Sequence, residues 1–207
     1  MKKNAAAVIL NGLYAPEKIA AAYIAAADGG YNLLRERGIV PDIIIGDNDS
    51  LRNPSDVPPG VKRLNFPSDK DMTDGELALR HVAGAGFKNI RIYGALGGRA
   101  DHAESNLALL CLAERLGARA AIEDGNTEIH YLGGRFKTFS AHIPRNISVS
   151  VVPFYSFAHI ISTKGLKYPV RDTRLFKYSS LGMSNRSVDE NVEVNISKGC
   201  ALIFINF

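Results

Sequence analysis

The helical periodicity of the sequence stops near residue 125, and this change constrains the fold more than any other feature. Before that point, short apolar runs alternate with helix-like stretches, and the strand-like runs are AAAVIL, YIAAA, DIIIG, VKRLNF, NIRIYG and ARAAIED. After residue 126 the segments are short, rich in β-branched and aromatic residues, and separated by Gly, Pro and Asn. The first pattern predicts a parallel sheet covered by helices, and the second predicts an antiparallel sandwich or small barrel.

We therefore predict an α/β protein of two domains. Residues 1–125 would form a Rossmann-like domain with a parallel sheet, and residues 126–207 an antiparallel β-sandwich. The predicted helices of the first domain are PEKIAAA, YNLLRERG, TDGELALRHVAGAG and DHAESNLALLCLAERLG. The predicted strands of the second domain are TEIHYL, FKTFS, ISVSVVPF, HIISTKGLKY, RLFKYSS, VEVNIS and CALIFINF.

Composition excludes several classes of protein. The formal net charge is +4, but the 25 Lys and Arg are scattered, so we expect a solvated surface and no nucleic-acid partner. Cys111 and Cys200 lie in apolar runs, so we expect them to be small core residues and the protein to reside in a reducing compartment. The start, MKKNAAAVILNG, has an apolar stretch too short for a signal peptide, so we interpret it as the first strand. With no membrane-spanning stretch in the sequence, we expect a cytoplasmic protein without a membrane partner.

Carboxylates follow the predicted strands of the first domain. The residues at these strand ends are Asp28; Asp47 and Asp49; Asp69, Asp71 and Asp74; and Arg99 and Asp101. If the strands are parallel, their carboxyl ends share one edge of the sheet, where open α/β sheets bind ligands. Crowded carboxylates need a cation, and oxygen ligands suit Mg²⁺. An arginine beside such a site indicates phosphate chemistry.

Each of these turns also has an ordinary structural interpretation. Asp28-Gly29-Gly30 could let a ligand approach the backbone at a helix N-terminus, or be a glycine turn with a capping Asp. Asp47 and Asp49 could chelate a metal, or form an Asp-rich turn. The turns around Asp74 and Arg99 could be a helix cap and a surface ion pair. Their coincidence at one sheet edge favours a site.

Other catalytic classes have less support. The histidines form no H-E-x-x-H pattern, and no nucleophile elbow or Cys–His signature appears. A Mg²⁺-dependent phosphatase, a diphosphokinase acting on a pterin alcohol, and a regulator that binds nucleotide without turnover remain as alternatives.

The motifs DGGYNLL, PDIIIGDNDSL, DKDMTD and GGRADH, in this order, resemble the thiamin pyrophosphokinase family. GLKYPV and LGMSN resemble segments of that family's second domain. The resemblance implies an ATP- and Mg²⁺-dependent enzyme that transfers the diphosphate of ATP to the alcohol of thiamine, giving thiamine diphosphate and AMP. It also implies a homodimer, with each active site between the nucleotide domain of one subunit and the thiamine-binding, dimerising sandwich of the other.

The resemblance also implies roles for individual residues. Those expected to bind ATP are Asp28, Gly29, Gly30, Asp47, Asp71 and Arg99. Asp47, Asp49 and Asp74 are expected to hold Mg²⁺, and Asp101, Ser184 and Asn185 to contact thiamine. Asp74, Arg99 and Asp101 are the expected catalytic residues, with Arg99 on the phosphates and Asp101 orienting the hydroxyl of thiamine.

Overall fold

The computed structural model describes residues 4–207 and divides into two compact units, Met1–Gly125 and Asn126–Phe207. The first three residues of the start interpreted above as a strand lie outside the described residues. Within the described part of the chain, no helix is long and apolar enough to cross a membrane.

The first unit contains a parallel sheet of six strands. These strands are β1 (Ala5–Ile9), β2 (Tyr23–Ala27), β3 (Ile43–Gly46), β4 (Lys62–Asn65), β5 (Asn89–Tyr93) and β6 (Arg119–Asp124). Their order is β4-β3-β2-β1-β5-β6, and every neighbouring pair is parallel. Since β1 pairs with β2 on one side and with β5 on the other, the strand order reverses there, which creates a crevice at the carboxyl ends of the strands. The prediction of a parallel sheet is confirmed.

Within residues 4–125, three α-helices accompany this sheet, α1 (Gly30–Glu36), α2 (Asp74–Gly84) and α3 (Ala100–Arg115), besides a short 3₁₀ helix, Pro54–Asp56. Thr73 caps α2, because its hydroxyl oxygen accepts a hydrogen bond from the backbone N–H of Glu76 at 3.2 Å. Part of the core lies between α1 and the sheet, where Ile9, Leu34 and Ile44 are fully buried. The cap fixes where α2 begins, and the packing of Leu34 holds α1 against the sheet.

The predicted helix PEKIAAA is wrong. Residues 16–22 have no regular structure and lead directly into β2. The backbone N–H of Ala22 donates to the oxygen of Ala5 at 2.9 Å, so the end of the segment is already attached to the sheet. Helices this short are marginal without tertiary packing, and here the sheet provides the competing hydrogen bonds.

The second unit is antiparallel throughout its paired strands, as predicted; its description as a sandwich stays a prediction. The strands are β7 (Thr127–Leu132), β8 (Thr138–His142), β9 (Ser148–Lys164), β10 (Arg171–Phe176), β11 (Asn185–Arg186) and β12 (Asn191–Asn206). β9 pairs with β10, β11 and β12, while β12 also pairs with β7 and β8. Ile160, Val194 and Ile203 are fully buried in its core.

Two pairs of predicted strands are continuous. ISVSVVPF and the first six residues of HIISTKGLKY share β9, which ends at Lys164 before the predicted GLKY, and VEVNIS and CALIFINF share β12. The breaks predicted between these pairs, at residues 155–158 and 198–199, are irregularities inside strands: the β9–β12 register shifts between Gly199 and Ala201, whose partners are Ala158 and Pro153. Gly199 has a φ of +72°, as a bulge residue can. Gly199 therefore marks an irregularity within a strand instead of a turn.

Candidate active site

A cavity of about 630 Å³ lies at the carboxyl edge of the parallel sheet, within the first unit. This volume is in the range of small-molecule sites. Five residues from the sequence prediction are among those that line it: Asp28, Asp47, Asp49, Asp74 and Arg99. Asp71 and Asp101 are exposed and are not among the lining residues. The predicted edge site is thus a concave surface with both acidic and basic groups.

Three carboxylates converge in this cavity. Asp28, Asp47 and Asp74 each offer an oxygen, and these oxygens all lie within 4.8 Å of one another. Asp28 follows β2 with a φ of +42° and is 5% exposed, while its N–H donates to the oxygen of Ile45 in β3 at 2.9 Å. Asp47 follows β3, and Asp74 is the first residue of α2. Two strand ends and one helix start therefore build the cluster.

Gly46 makes room for this cluster. A Cβ at Gly46 would lie 2.8 Å from Cβ of Asp28 and 3.0 Å from Cγ and Oδ1 of Asp74. The φ of Gly46, +152°, is also one that residues with side chains rarely adopt. Only a residue without a side chain lets the two carboxylates approach across the end of β3.

The cluster fits a divalent cation. Oδ1 of Asp28 is buried and has no hydrogen-bond partner, and Oδ1 of Asp74 is buried beside the ammonium of Lys70, at 3.3 Å. Burial raises the pKa of Asp74, although Lys70 acts in the opposite direction. Buried oxygens without a donor are costly, and a metal ion satisfies several at once. A set of oxygen donors alone suits a hard divalent cation such as Mg²⁺.

Asp49 occupies a different position from the one predicted for it. It lines the cavity, but the group of carboxylates that can share a metal contains Asp28 in its place. Oδ1 of Asp49 accepts a hydrogen bond from the hydroxyl of Ser50 at 2.9 Å, and its backbone N–H donates to Oδ1 of Asp47 at 3.3 Å. In this arrangement Asp49 supports Asp47 through its backbone, and its predicted role as a ligand stays a prediction.

Lys70 was not singled out by the sequence analysis, yet it lies within the cluster. Its Nζ is 3.1 Å from Oδ2 of Asp47 and 3.3 Å from Oδ1 of Asp74. The hydrogen bond from Lys70 holds the pKa of Asp47 below its usual range. Burial lowers the pKa of the Lys70 ammonium, but the hydrogen bonds and negative charges of Asp47 and Asp74 have a larger combined effect. The pKa of Lys70 is therefore raised. The available signal was a lysine four residues before Asp74 in an acid-rich turn.

Arg99 and Asp101 form an exposed ion pair. Nη2 and Nε of Arg99 donate to the two carboxylate oxygens of Asp101 at 2.6 and 3.1 Å. The hydrogen bond from Arg99 lowers the pKa of Asp101, so this carboxylate is a weaker proton acceptor than an isolated one. The pair holds the guanidinium at the rim of the cavity.

Asp124 and Asn106 anchor the glycine loop that carries Arg99, and the sequence analysis missed both. Oδ2 of Asp124 accepts the N–H of Leu96 at 2.8 Å, and Nδ2 of Asn106 donates to the oxygen of Ala95 at 2.9 Å. Burial raises the pKa of Asp124, while the backbone hydrogen bonds from this loop lower it to a smaller extent. Their signal was weak, because a strand-end Asp and a helical Asn are common in any α/β domain.

In the second unit, Ser184 and Asn185 differ in exposure. Ser184 is exposed with a φ of +55°, and its N–H donates to the hydroxyl of Ser150 at 2.9 Å. Asn185 is buried; its side-chain oxygen accepts from the N–H of Tyr168 at 3.0 Å and its amide donates to the oxygen of Tyr168 at 2.7 Å. Asn185 thus positions the backbone of Tyr168, whose ring is exposed. Contact of Ser184 and Asn185 with thiamine stays a prediction.

The parallel sheet with acidic and basic groups at its carboxyl edge is that of an α/β protein, a class in which ligands bind at this edge. Residues 17–122 match the family described as "Thiamin pyrophosphokinase, catalytic domain", and residues 141–201 match "Thiamin pyrophosphokinase, vitamin B1 binding domain". The chain belongs to the thiamin pyrophosphokinase family.

Individual relatives agree with this assignment. The thiamine pyrophosphokinase of Bacillus subtilis is 28% identical over 180 residues, which cover 85% of this chain and 83% of the relative. The crystal structure of thiamine pyrophosphokinase from Bacillus subtilis superposes with a TM-score of 0.86 at 23% identity, covering 98% of both chains. That of Geobacillus thermodenitrificans gives a TM-score of 0.82 at 26% identity, covering 98% of this chain and 97% of the other.

Proposed function

We propose that this protein is an enzyme that transfers the diphosphate of ATP to the hydroxyl of thiamine, giving thiamine diphosphate and AMP. Membership of the thiamin pyrophosphokinase family supports the reaction. The observation that carries the proposal is the convergence of Asp28, Asp47 and Asp74 at the carboxyl edge of the sheet. Neither family match favours the phosphatase or the pterin diphosphokinase considered above.

The acidic cluster would hold Mg²⁺ through Asp28, Asp47 and Asp74. When bound, Mg²⁺ neutralises phosphate charge and orients the phosphate oxygens. The protein's part is to place these carboxylates: Gly46 allows their approach, and the cap at Thr73 fixes the start of α2. Asp49 would keep Asp47 in position through its backbone N–H. We keep Asp49 as a further candidate ligand, because it lines the same cavity.

The remaining groups of the first unit would bind and orient the substrates. Arg99 would bind the phosphates of ATP. Its planar guanidinium now donates to both carboxylate oxygens of Asp101, and it could donate to two phosphate oxygens in the same way. If the phosphates replaced Asp101 as the partner of Arg99, Asp101 would be free to orient the hydroxyl of thiamine. Gly29 and Gly30 are buried, and a Cβ at either would meet Asn11 or the backbone of Ile9, so they stay proposed ATP contacts without support from the cavity, as does Asp71.

Thiamine binding is proposed for the second unit. The match of residues 141–201 to a vitamin B1 binding domain supports it. Ser184 is exposed, and Asn185 would act through Tyr168, a residue that is 61% exposed. Nζ of Lys167 lies 5.4 Å from the centre of the Tyr168 ring, so this face already attracts a cation. Thiamine carries a cationic ring, and Tyr168 is therefore the proposed aromatic partner. We further propose that the active form is a homodimer.

Product identification tests this function. The purified protein is incubated with ATP, Mg²⁺ and thiamine, and the products are separated by chromatography with mass detection. AMP and thiamine diphosphate in equal amounts are expected. Inorganic phosphate formed without thiamine would indicate the phosphatase, and no nucleotide product would indicate a binding protein. Repeating the assay with a hydroxymethyl pterin tests the second diphosphokinase.

The same assay separates the two proposed sets of metal ligands. Asp28→Asn removes a member of the observed cluster, whereas Asp49→Asn removes the neighbouring carboxylate outside it. If the cluster holds the metal, Asp28→Asn should raise the Mg²⁺ concentration required for half-maximal activity more than Asp49→Asn does. The reverse order would restore the ligand set predicted from the sequence.

A further inference from the structure

The ammonium of Lys70 lies within the carboxylate cluster, at the position where a bound cation would neutralise the carboxylates. Its side chain is 13% exposed and that of Asp47 is 12% exposed, so this contact is far less solvated than an ordinary surface ion pair. The ammonium lies between Asp47 and Asp74 and contacts oxygens of both. Exposed pairs contribute little, but a mostly buried ammonium between two carboxylates strongly affects their charge balance.

We infer that Lys70 is an internal counter-ion that competes with the divalent cation for this cluster and leaves it when the cation binds. The inference rests on the proposed metal site. A divalent cation held by Asp47 and Asp74 would take the oxygens that the ammonium now contacts. Two positive charges that share these oxygens would repel each other at short range, so one of them must move.

The charge of the cluster explains why the cation can still bind. Three carboxylates and one ammonium leave a formal charge of −2 when all are ionised. Oδ1 of Asp28, buried and without a donor, is not satisfied by Lys70. The ammonium therefore stabilises the metal-free cluster only in part, and a divalent cation that reaches all three carboxylates is the better partner.

The phosphates of ATP, bound in the same cavity, would be the second partner of the displaced ammonium. Lys70 lines this cavity together with Arg99, and it lies outside any helix or strand, just before α2. A long, flexible lysine side chain can change direction without moving the backbone. Metal binding would thus free a positive charge for the phosphates of ATP, which links loading of the metal to recognition of the nucleotide.

Direct metal binding tests the inference without relying on turnover. Mn²⁺ alone is titrated into wild-type protein and into Lys70→Met, with binding followed by electron paramagnetic resonance. Neighbouring charges change ionic equilibria by about 1–3 logarithmic units, so we expect at least about tenfold tighter Mn²⁺ binding in Lys70→Met. Lys70→Arg, which keeps the charge, should stay close to wild type. Lys88→Met removes an exposed lysine just before β5 and serves as the matched control for net charge.

Thermal unfolding provides a second readout. The metal-free Lys70→Met protein should melt at a lower temperature than wild type, since its carboxylates have lost their counter-ion, and Mn²⁺ should raise its melting temperature more. Its KM for ATP should rise several-fold, because the ammonium for the phosphates is gone.

The outcomes separate this inference from the proposed function. Mn²⁺ binding equal to or weaker than wild type in Lys70→Met overturns the role of Lys70 and leaves the metal site standing. An unchanged KM for ATP overturns the transfer of the ammonium to phosphate. Absence of Mn²⁺ binding in both proteins, with and without ATP, overturns the metal site and the inference together.

Discussion

Gly46 leaves the space that Asp28 needs on the neighbouring strand end, since a Cβ at Gly46 would lie 2.8 Å from Cβ of Asp28. The end of β3 therefore passes so close to the end of β2 that the carboxylate of Asp28 can join those of Asp47 and Asp74. The geometry of the site depends on this approach of two strand ends as much as on the acidic residues themselves.

Gly46→Ala should disable the metal site. The added methyl group must displace Asp28 or Asp74, and the φ of +152° adds backbone strain, together about 1–3 kcal/mol. We expect Mn²⁺ affinity and activity to fall by at least about tenfold, an amount equal to about 1.4 kcal/mol, measured by titration and by AMP formation.

Gly38→Ala provides the control for strain. Gly38 has a φ of +65°, and no atom lies within 4 Å of the place that an added methyl group would take, so the change adds strain of about 1–2 kcal/mol without crowding the site. Its activity should stay near wild type. Equal losses of activity in the two variants would show that strain, and not the approach to Asp28, matters at Gly46.

Arg99→Ala should lower kcat by about 10²–10³, the scale for loss of one donor that stabilises the transition state. The side chain of Arg99 is 71% exposed, so the substitution should cost little stability. Arg52→Ala is the matched control, because Arg52 is also in an ion pair and 70% exposed. Steady-state kinetics of the two variants measures this effect. A change in kcat below about threefold in Arg99→Ala would show that Arg99 is a surface residue without a role in turnover.

The sequence predicted the strand ends well but not the directions of their side chains. Asp28, Asp47 and Asp74 were all expected at one edge, since parallel strands place their carboxyl ends together. Which of them converge depends on the turns: Asn48 has a φ of +66°, which separates the paths of Asp47 and Asp49. Positive φ at a residue other than glycine is set by tertiary contacts.

Lys70 and Asn185 illustrate the other limit of sequence analysis. A lysine in a polar turn is usually solvated, so its burial between Asp47 and Asp74 becomes evident only when β3 and α2 are placed together. Asn185 was expected to contact a ligand directly, but its amide is bonded to the backbone of Tyr168. No role was predicted for Lys70, and a contact with ligand was predicted for Asn185; in both cases the actual partner depends on the fold.

His81 should make the stability of the protein depend on pH. Burial lowers its pKa from 6.5, and Lys62 adds to the effect, while Nε2 lies 3.1 Å from the hydroxyl of Tyr23. Because the folded state holds the neutral imidazole, this stabilisation is fully present above pH 6.5 and is lost as pH falls through the folded pKa.

Urea unfolding at pH 7.5 and pH 5.5 measures this effect. We expect the drop in the free energy of unfolding to be smaller in His81→Gln than in wild type. His142→Gln removes an exposed histidine, with 72% of its side chain accessible, and should leave the drop unchanged. An identical pH dependence in wild type and His81→Gln would contradict the assignment to His81.

Ser184→Ala should raise the KM for thiamine while leaving ATP binding intact. Loss of one hydrogen bond contributes about 0.5–1.5 kcal/mol, so we expect an increase of up to about tenfold. Ser184 is the better target than Asn185, whose replacement would break two hydrogen bonds to Tyr168 and disturb the turn itself. Ser180→Ala, an exposed serine four residues earlier, is the matched control and should keep the KM of wild type.

Mixing Ser184→Ala with Asp47→Asn should restore activity if each site combines two subunits. Asp47→Asn alone should be inactive, because it lacks a central carboxylate of the cluster. In a mixed dimer one site carries both substitutions and the other carries neither. At a thiamine concentration well below the KM of Ser184→Ala, adding the inactive variant should therefore increase the rate of AMP formation. Native mass spectrometry of differently tagged subunits verifies the exchange. A mixed dimer that forms without any gain in rate would show that each subunit builds its own site.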